Sequence, residues 1–322
     1  MGSPSDGLLP AGPYTAGSMT PAPANRVCAV IVHFRTPEAT LEAAGAVART
    51  TPGTEIVVVD NASGDSIGGR LAAHASSARL VAESSNRGYG AACNRGARES
   101  RRELLLFLNS DAVVQPDAVE ALVATLDSDP QAAMVGPRLE NPDGTFQPSI
   151  LRLPTLWRVF CESSGLAILA GGRGSLRGHS ATREDHSRKR AVECVKGAAL
   201  LVRRTAFEEV GGFDESFFLY AEESDLCARL RQRGWKVLFA PTARVVHRGG
   251  VSAGDALFGQ LNDSLAVYVA RHQGNLAGIA ARVVLRAGSA ARYALSLVTP
   301  GERGRIRRSR YRAALAGPPR RA

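Results

Sequence analysis

No two cysteines in this chain form a CxxC, and the total of five (Cys28, Cys93, Cys161, Cys194 and Cys227) is odd. A disulfide framework is therefore not expected, and a reducing compartment fits better. No run of about 18 uncharged apolar residues occurs, so no ordinary transmembrane helix is expected. The first 25 residues lack an apolar h-region, so no signal peptide is expected. The body also lacks a basic face. From Arg271 onward the chain holds twelve Arg and one acid, Glu302, whereas residues 1–270 hold 28 basic and 29 acidic residues. The formal charge of +10 thus belongs to a tail, which weakens a DNA-binding reading of the body. No GxGxxG and no P-loop is found, which makes the dinucleotide and kinase readings weak.

What is present is ordinary globular composition, 44% hydrophobic and 22% charged, at a length that suits one large or two medium domains. Residues 1–25, rich in Gly, Pro, Ser, Thr and Ala, read as a disordered leader. Strands are expected at 27–32, 55–60, 79–82 and 104–108. Helices are expected at 37–49, up to about 75, at 89–99 and from Pro116 to about 127. Each strand is apolar without alternation, which buries both of its faces and predicts an α/β fold with a mostly parallel central sheet flanked by helices. Ligands of such sheets bind beyond the carboxyl ends of the strands. Those ends carry His33-Phe34, Asp60-Asn61, Glu83 and Asn109-Ser110-Asp111.

The second half is less regular. Residues 171–190 read as a loop, 195–202 as a strand broken by Gly197, 223–233 as a helix, and 236–239 and 244–246 as two short strands.

Four clusters carry candidate chemistry, each beside a plainer reading. Asp111 ends a buried strand, where it can hold a divalent cation or simply cap a turn. Glu222 and Glu223 follow the apolar run Phe217-Phe218-Leu219-Tyr220. Held against that wall, a carboxyl would be tuned for general-base work, while acids in a first helical turn also compensate the helix dipole. Asn86-Arg87-Gly88-Tyr89-Gly90 with Asn94 is a strand-to-helix turn whose amides could meet a nucleotide or merely close the turn. His247 is a third ligand to an ion at Asp111 or a satisfied polar residue.

Taken together and in order, these pieces resemble the inverting glycosyltransferases of family 2, which have the GT-A fold, and above all the bacterial rhamnosyltransferase-type branch. The likeness spans Val27 to Gly274 and includes Gly197-Ala198 and Gly211-Gly212-Phe213-Asp214-Glu215. It implies roles residue by residue. Asp60, Phe34, Arg87, Gly88 and Asn109 would border the nucleotide. Asp111 and His247 would bind Mg²⁺ or Mn²⁺ beside the diphosphate. Glu223, or Glu222 beside it, would be the catalytic base, and Gly197, Tyr220 and Asp225 would shape the acceptor side. The strict DxD pattern is altered at its first position to Asn109, and the usual Glu-Asp pair reads Glu222-Glu223.

The resemblance divides the chain into the leader 1–25, a catalytic domain 26–254 and a helical, basic extension 255–322. Within the catalytic domain the nucleotide-sugar half is about 26–136 and the acceptor half about 137–254. The expected donor is a dTDP- or UDP-sugar, with dTDP-rhamnose first. The expected acceptor is a glycan or a polyprenyl-diphosphate-linked sugar.

In the extension, residues 255–272 are expected to be helical and 276–298 weakly amphipathic. Arg282, Arg286 and Arg292 would lie on one side, with Ala280, Val284, Ala291, Leu295 and Val298 on the other. The arginines from Arg303 to Arg312 follow, either as a disordered tail behind a solvated hairpin or as a patch for anionic lipid. A cytoplasmic protein, peripheral on the inner membrane face, is the expected location. The remaining alternatives are a nucleotide-sugar-binding protein without transferase activity and a nucleotidyltransferase. The latter usually carries a basic Gly-rich loop after the first strand, where this chain has Phe34-Arg35-Thr36-Pro37.

Overall fold

The computed structural model describes residues 22–171, 174–180, 184–249 and 257–317. Most of the expected leader, the start of the expected 255–272 helix and the last five residues lie outside the described residues. The first half alternates strand and helix: β1 (Val27–His33), α1 (Pro37–Thr50), β2 (Glu55–Asp60), α2 (Gly68–His74), β3 (Arg79–Ala82), α3 (Tyr89–Arg98), β4 (Leu104–Asn109), β5 (Ala112–Val114) and α4 (Ala118–Asp127). Helix α4 starts two residues after Pro116, because Asp117 takes a left-handed backbone with φ +62°. The second half continues with β6 (Ala132–Glu140), β7 (Phe146–Gln147), β8 (Ile150–Leu151), α5 (Leu156–Ser163), α6 (Leu166–Leu169), β9 (Arg190–Val192), β10 (Cys194–Val195), β11 (Ala199–Arg203) and α7 (Arg204–Glu209). It ends with α8 (Glu222–Gln232), β12 (Lys236–His247), α9 (Leu257–Gln273), α10 (Asn275–Leu297) and α11 (Gly301–Ala316).

The main sheet runs in the order β3-β2-β1-β4-β11-β6-β12-β5. Strands β3, β2, β1 and β4 are parallel neighbours. Strand β11 is antiparallel to β4 and β6, and β5 is antiparallel to β12, while β6 and β12 are again parallel. Alternate residues of β1 feed two cores. Ala29 and Ile31 pack beneath α1 and α4, and Cys28 and Val30 pack toward α3, α7 and α8. Both faces are covered, so an unbroken apolar run makes a stable strand here.

Two features differ from the sequence reading, and a third agrees with it. The stretch 195–202 is broken at Gly197, as expected. β10 pairs with β8, β11 joins the main sheet, and the chain leaves the ladder at Lys196-Gly197-Ala198. The two short strands at 236–246 are one strand, β12, with a register shift between Ala240 and Arg244. Pro241, which has no N–H to give a ladder, lies within that shift. Strand β6, which pairs with both β11 and β12, had no counterpart among the expected elements.

The C-terminal helices pack onto the body. A third core joins Val159, Phe217, Ala221 and Ala228 to Leu265, Tyr268, Val269, Ala281 and Leu285. Helix α10 buries Gly278, Ala281, Leu285 and Ser289, not the face expected from sequence, and leaves Leu295 and Val298 exposed. The arginine-rich stretch is a helix, α11, rather than a disordered tail. Among the described residues no helix is long and apolar enough to cross a membrane.

Candidate functional site

The carboxyl ends of β1, β2 and β4 converge with the start of α8 and the end of β12. At the β1–β2 end, Phe34 is half-buried beneath the Arg35 guanidinium, 5.0 Å from its ring centre. Arg35 has φ +55°, and its N–H donates to Ser63 Oγ at 2.8 Å. Asp60 Oδ1 accepts from the Ser63 N–H at 2.8 Å, which holds the carboxylate at the rim. Buried Asn61 ties this rim to the next loop, donating to Asn86 Oδ1 and the Gly88 carbonyl and accepting from the Arg87 N–H. Gly88 is required where it stands, since φ is +95° and a Cβ there would lie 2.4 Å from the Phe218 carbonyl. The exposed Arg87 guanidinium donates to Glu215 at 2.5 Å.

Asn109 continues from β4 and its N–H donates to the Ala198 carbonyl at 3.0 Å. Asp111 and His247 are both buried, with His247 Nε2 3.4 Å from Asp111 Oδ1. Among the described residues no group of three or more His, Cys, Asp and Glu could hold a metal. A carboxylate and an imidazole facing each other at this distance could act together as two ligands. That suits a hard divalent cation whose other ligands come from phosphate and water.

The acids at the start of α8 differ from each other. Glu222 is buried, with Oε2 lacking a hydrogen-bond partner. Burial, with Glu223 beside it, pushes its carboxyl well above the usual range and favours the neutral acid. Glu223 is half-buried. Burial raises it too, but backbone N–H groups and the Lys196 ammonium pull the other way. The two residues before α8, Tyr220 and Ala221, both take left-handed backbone, with φ +69° and +64°. Strain of this kind costs about 1–3 kcal/mol per residue and is found where function fixes the backbone. Here it turns the chain sharply from the Phe217-to-Leu219 wall into the helix. Burial raises the Tyr220 phenol, as do the nearby charges of Glu222, Asp111 and Glu223. Gly197 lies against Glu223, for a Cβ there would meet its Cβ and Cγ at 3.5 Å. Asp225 points away from this cluster. It is fully buried, accepts from Arg229 Nε at 2.7 Å and lies 2.9 Å from His272 Nε2 of α9.

Two residues that sequence reasoning passed over lie at the centre. Lys196 directly precedes Gly197. Burial lowers its ammonium, and the nearby charges of both Glu223 and Asp111 act to raise it, so it lies within reach of both acids. Gln147 bridges Lys196 and His247. Proximity to Gly197 could have signalled Lys196. Gln147 lay in a stretch with no readable pattern. A separate cavity of about 320 Å³, lined by Arg152, Glu184, Arg190 and Glu193 among others, shares no residue with this cluster. Arg152 and Arg190 both pair with Glu184 there.

Residues 28–211 match glycosyl transferase family 2, and residues 180–256 match glycosyl transferase family 21. The chain is 31% identical over 212 residues to the N-acetylglucosaminyl-diphospho-decaprenol L-rhamnosyltransferase of Mycobacterium tuberculosis, covering 62% of this chain and 68% of that protein. It is 26% identical over 197 residues to a low-salt glycan biosynthesis hexosyltransferase of Haloferax volcanii, covering 60% of this chain and 58% of that one. Among solved structures, a mannosyltransferase of Pyrobaculum calidifontis in complex with GDP-Man and Mn²⁺ superposes with a TM-score of 0.53 at 17% identity, over 90% of this chain and 85% of that one.

Proposed function

The chain belongs to glycosyl transferase family 2, in its rhamnosyltransferase-like branch and on a fold of GT-A type, and from this premise we propose that it moves rhamnose from dTDP-rhamnose to a polyprenyl-diphosphate-linked sugar with inversion at the anomeric carbon. The observation that carries the reading is the meeting of Glu223 and the Asp111–His247 pair around one cation, Lys196, whose charge both acids affect. The rhamnosyl group and the lipid-linked acceptor follow the name of the Mycobacterium tuberculosis relative, and the dTDP carrier follows the family resemblance.

In this reading Phe34, Asp60, Arg87, Gly88 and Asn109 border the nucleotide. Glu223 is the base, because it is the half-buried member of its pair and the one facing Lys196. Its carboxylate takes the proton of the acceptor hydroxyl. The oxygen bonds to the anomeric carbon as the bond from that carbon to the diphosphate oxygen breaks, the two on opposite faces of the sugar. Glu222 stays protonated behind it. Lys196 places a positive charge between the base and the diphosphate side, where negative charge develops. Asp111 and His247 would hold a divalent cation, which when bound would supply positive charge beside the diphosphate.

The C-terminal helices suit an anionic membrane surface. Leu276, Ile279, Val283 and Leu295 on α10 and Val298 just after it are exposed, as are Arg303, Arg305, Arg307, Arg310 and Arg312 on α11. A lipid-linked acceptor would be met there.

The test is transfer from a panel of dTDP-, UDP- and GDP-sugars to a polyprenyl-diphosphate-linked N-acetylglucosamine, with product configuration read by NMR. Turnover with dTDP-rhamnose and an inverted linkage is expected. Transfer from another donor alone overturns the rhamnose assignment. A retained linkage overturns the single displacement. Donor binding without transfer or hydrolysis leaves a sugar-nucleotide-binding protein.

A further inference from the structure

Gln147 meets four groups through its amide. Its Nε2 lies 2.9 Å from Asn141 Oδ1 and 3.2 Å from the His247 carbonyl oxygen, and its Oε1 lies 2.7 Å from His247 Nδ1 and 3.4 Å from Lys196 Nζ. An amide can be turned end for end, but two of these partners admit one orientation only. A backbone carbonyl only accepts, so the atom facing it is the NH₂. An ammonium only donates, so the atom facing it is the oxygen. The oxygen therefore also faces His247 Nδ1. An imidazole nitrogen set against a carbonyl oxygen at 2.7 Å must carry the hydrogen, which leaves the lone pair of the neutral ring on Nε2. Nε2 is the atom that faces Asp111, at 3.4 Å.

We propose that Gln147 is a positioning residue that fixes His247 as its Nδ1–H tautomer and presents the bare Nε2, together with the Asp111 carboxylate, to a divalent cation. Three features make Gln147 rigid enough for this. It is held in the β6–β7 pairing, where Leu139 faces it. Asn141, which receives its Nε2–H, is itself held by Thr145 at 2.9 Å. Lys196 fastens the amide oxygen from the opposite side, and its own N–H donates to the Ser149 carbonyl at 2.8 Å. One amide thus links the cation seat to the cation side chain beside the base. Groups that orient a ligating histidine through its second nitrogen commonly change metal affinity by about 10–100-fold when removed.

The inference rests on the metal-assisted reading above, and the experiment separates the two. Long-range ¹H–¹⁵N spectra of the ¹⁵N-labelled, metal-free protein at pH 8 report which ring nitrogen of each histidine is protonated, with His247 assigned from the spectrum of His247→Asn. A protonated Nδ1 and a bare Nε2 are expected. An Nε2–H tautomer, or an imidazolium at this pH, overturns the proposal without any variant having to fold. Gln147→Leu should then move His247 toward the Nε2–H form, and Gln147→Glu, which keeps an acceptor, should retain the Nδ1–H. A tautomer unchanged in Gln147→Leu also overturns it. Titration with Mn²⁺ in the presence of dTDP should show about 10–100-fold weaker binding by Gln147→Leu and near-native binding by Gln147→Glu. Equal loss in both variants would mean that Gln147 acts only on the loop's shape. If the wild type shows the expected tautomer but binds no Mn²⁺, the metal reading fails while the role of Gln147 in the tautomer stands.

Discussion

Replacing Glu223 with Gln removes a proton acceptor and leaves the side chain's size unchanged. Turnover is expected to fall by at least about 10², the lower end of what a general base contributes. Glu222→Gln exchanges one neutral group for another and should remain at least about tenfold more active than Glu223→Gln under the same assay. The two variants together decide which acid is the base. A base works only when ionised, and burial raises Glu223, so kcat/KM should rise with pH through a midpoint above the ordinary carboxylate range. Lys196 lowers Glu223, so Lys196→Met should move that midpoint to higher pH. A midpoint that stays in place would separate Lys196 from the base. Glu222 also has a signature in stability. Its folded pKa lies well above its unfolded one, so the folded state holds a proton that the unfolded state has already released. Stability is full below the unfolded value and is lost as pH rises toward the folded one. Glu222→Gln should therefore show a Tm that declines less between pH 5 and 8 than the wild type's.

The elements that carry the site were legible where local pattern and burial agree. Strands β1, β2, β3 and β4 are buried runs bounded by turns, and their ends fell within a residue or two of the expected ones. Strand β6 went unread because Ala132-Ala133-Met134 is as compatible with a helix as with a strand. Its state is set by β11 and β12 on either side. The same holds at the site. Asp111, Glu223 and His247 sit next to strand or helix ends that sequence can find. Gln147 and Lys196 come together only through the β6–β7 pairing and the exit of the chain from β10. Helix α8 has a second role that sequence placed on the acceptor side. Asp225, three residues from the Glu222 pair, fastens α8 to α9 through His272 while holding Arg229 on its own helix. Removing one partner of such a buried pair typically costs about 3–5 kcal/mol. Arg229 and His272 keep some exposure, so Asp225→Ala is expected near the low end, about 3 kcal/mol, by urea denaturation. A loss under about 1 kcal/mol would mean that the apolar packing of α9 suffices without the ion pairs.

At the scale of the whole molecule, exposed apolar residues on α10 and exposed arginines on α11 belong to helices that pack on each other and on the body through the core around Tyr268. Sedimentation with vesicles rich in anionic lipid at low salt should pull the full-length protein down, and neutral vesicles should not. Raising the salt should release it, because the charge contribution is screened over about 10 Å at 0.1 M. Binding that ignores both lipid charge and salt would remove the arginines from the account.

The position of β11 has a consequence for how the protein is made. Residues 104–109 and 132–140 are neighbours in the sheet only through residues 199–203, which lie between them and bond to both. While the chain is being synthesised, the first 140 residues can bring β1 to β4 together, but a strand-wide gap stays open beside Leu104–Asn109 until Ala199–Arg203 has emerged. During that interval the nascent chain carries an unpaired sheet edge, apolar from Leu104 to Leu108, the kind of surface that invites aggregation. The strands that carry Phe34, Asp60 and Asn109 are therefore completed by the segment that also delivers Lys196 and Gly197.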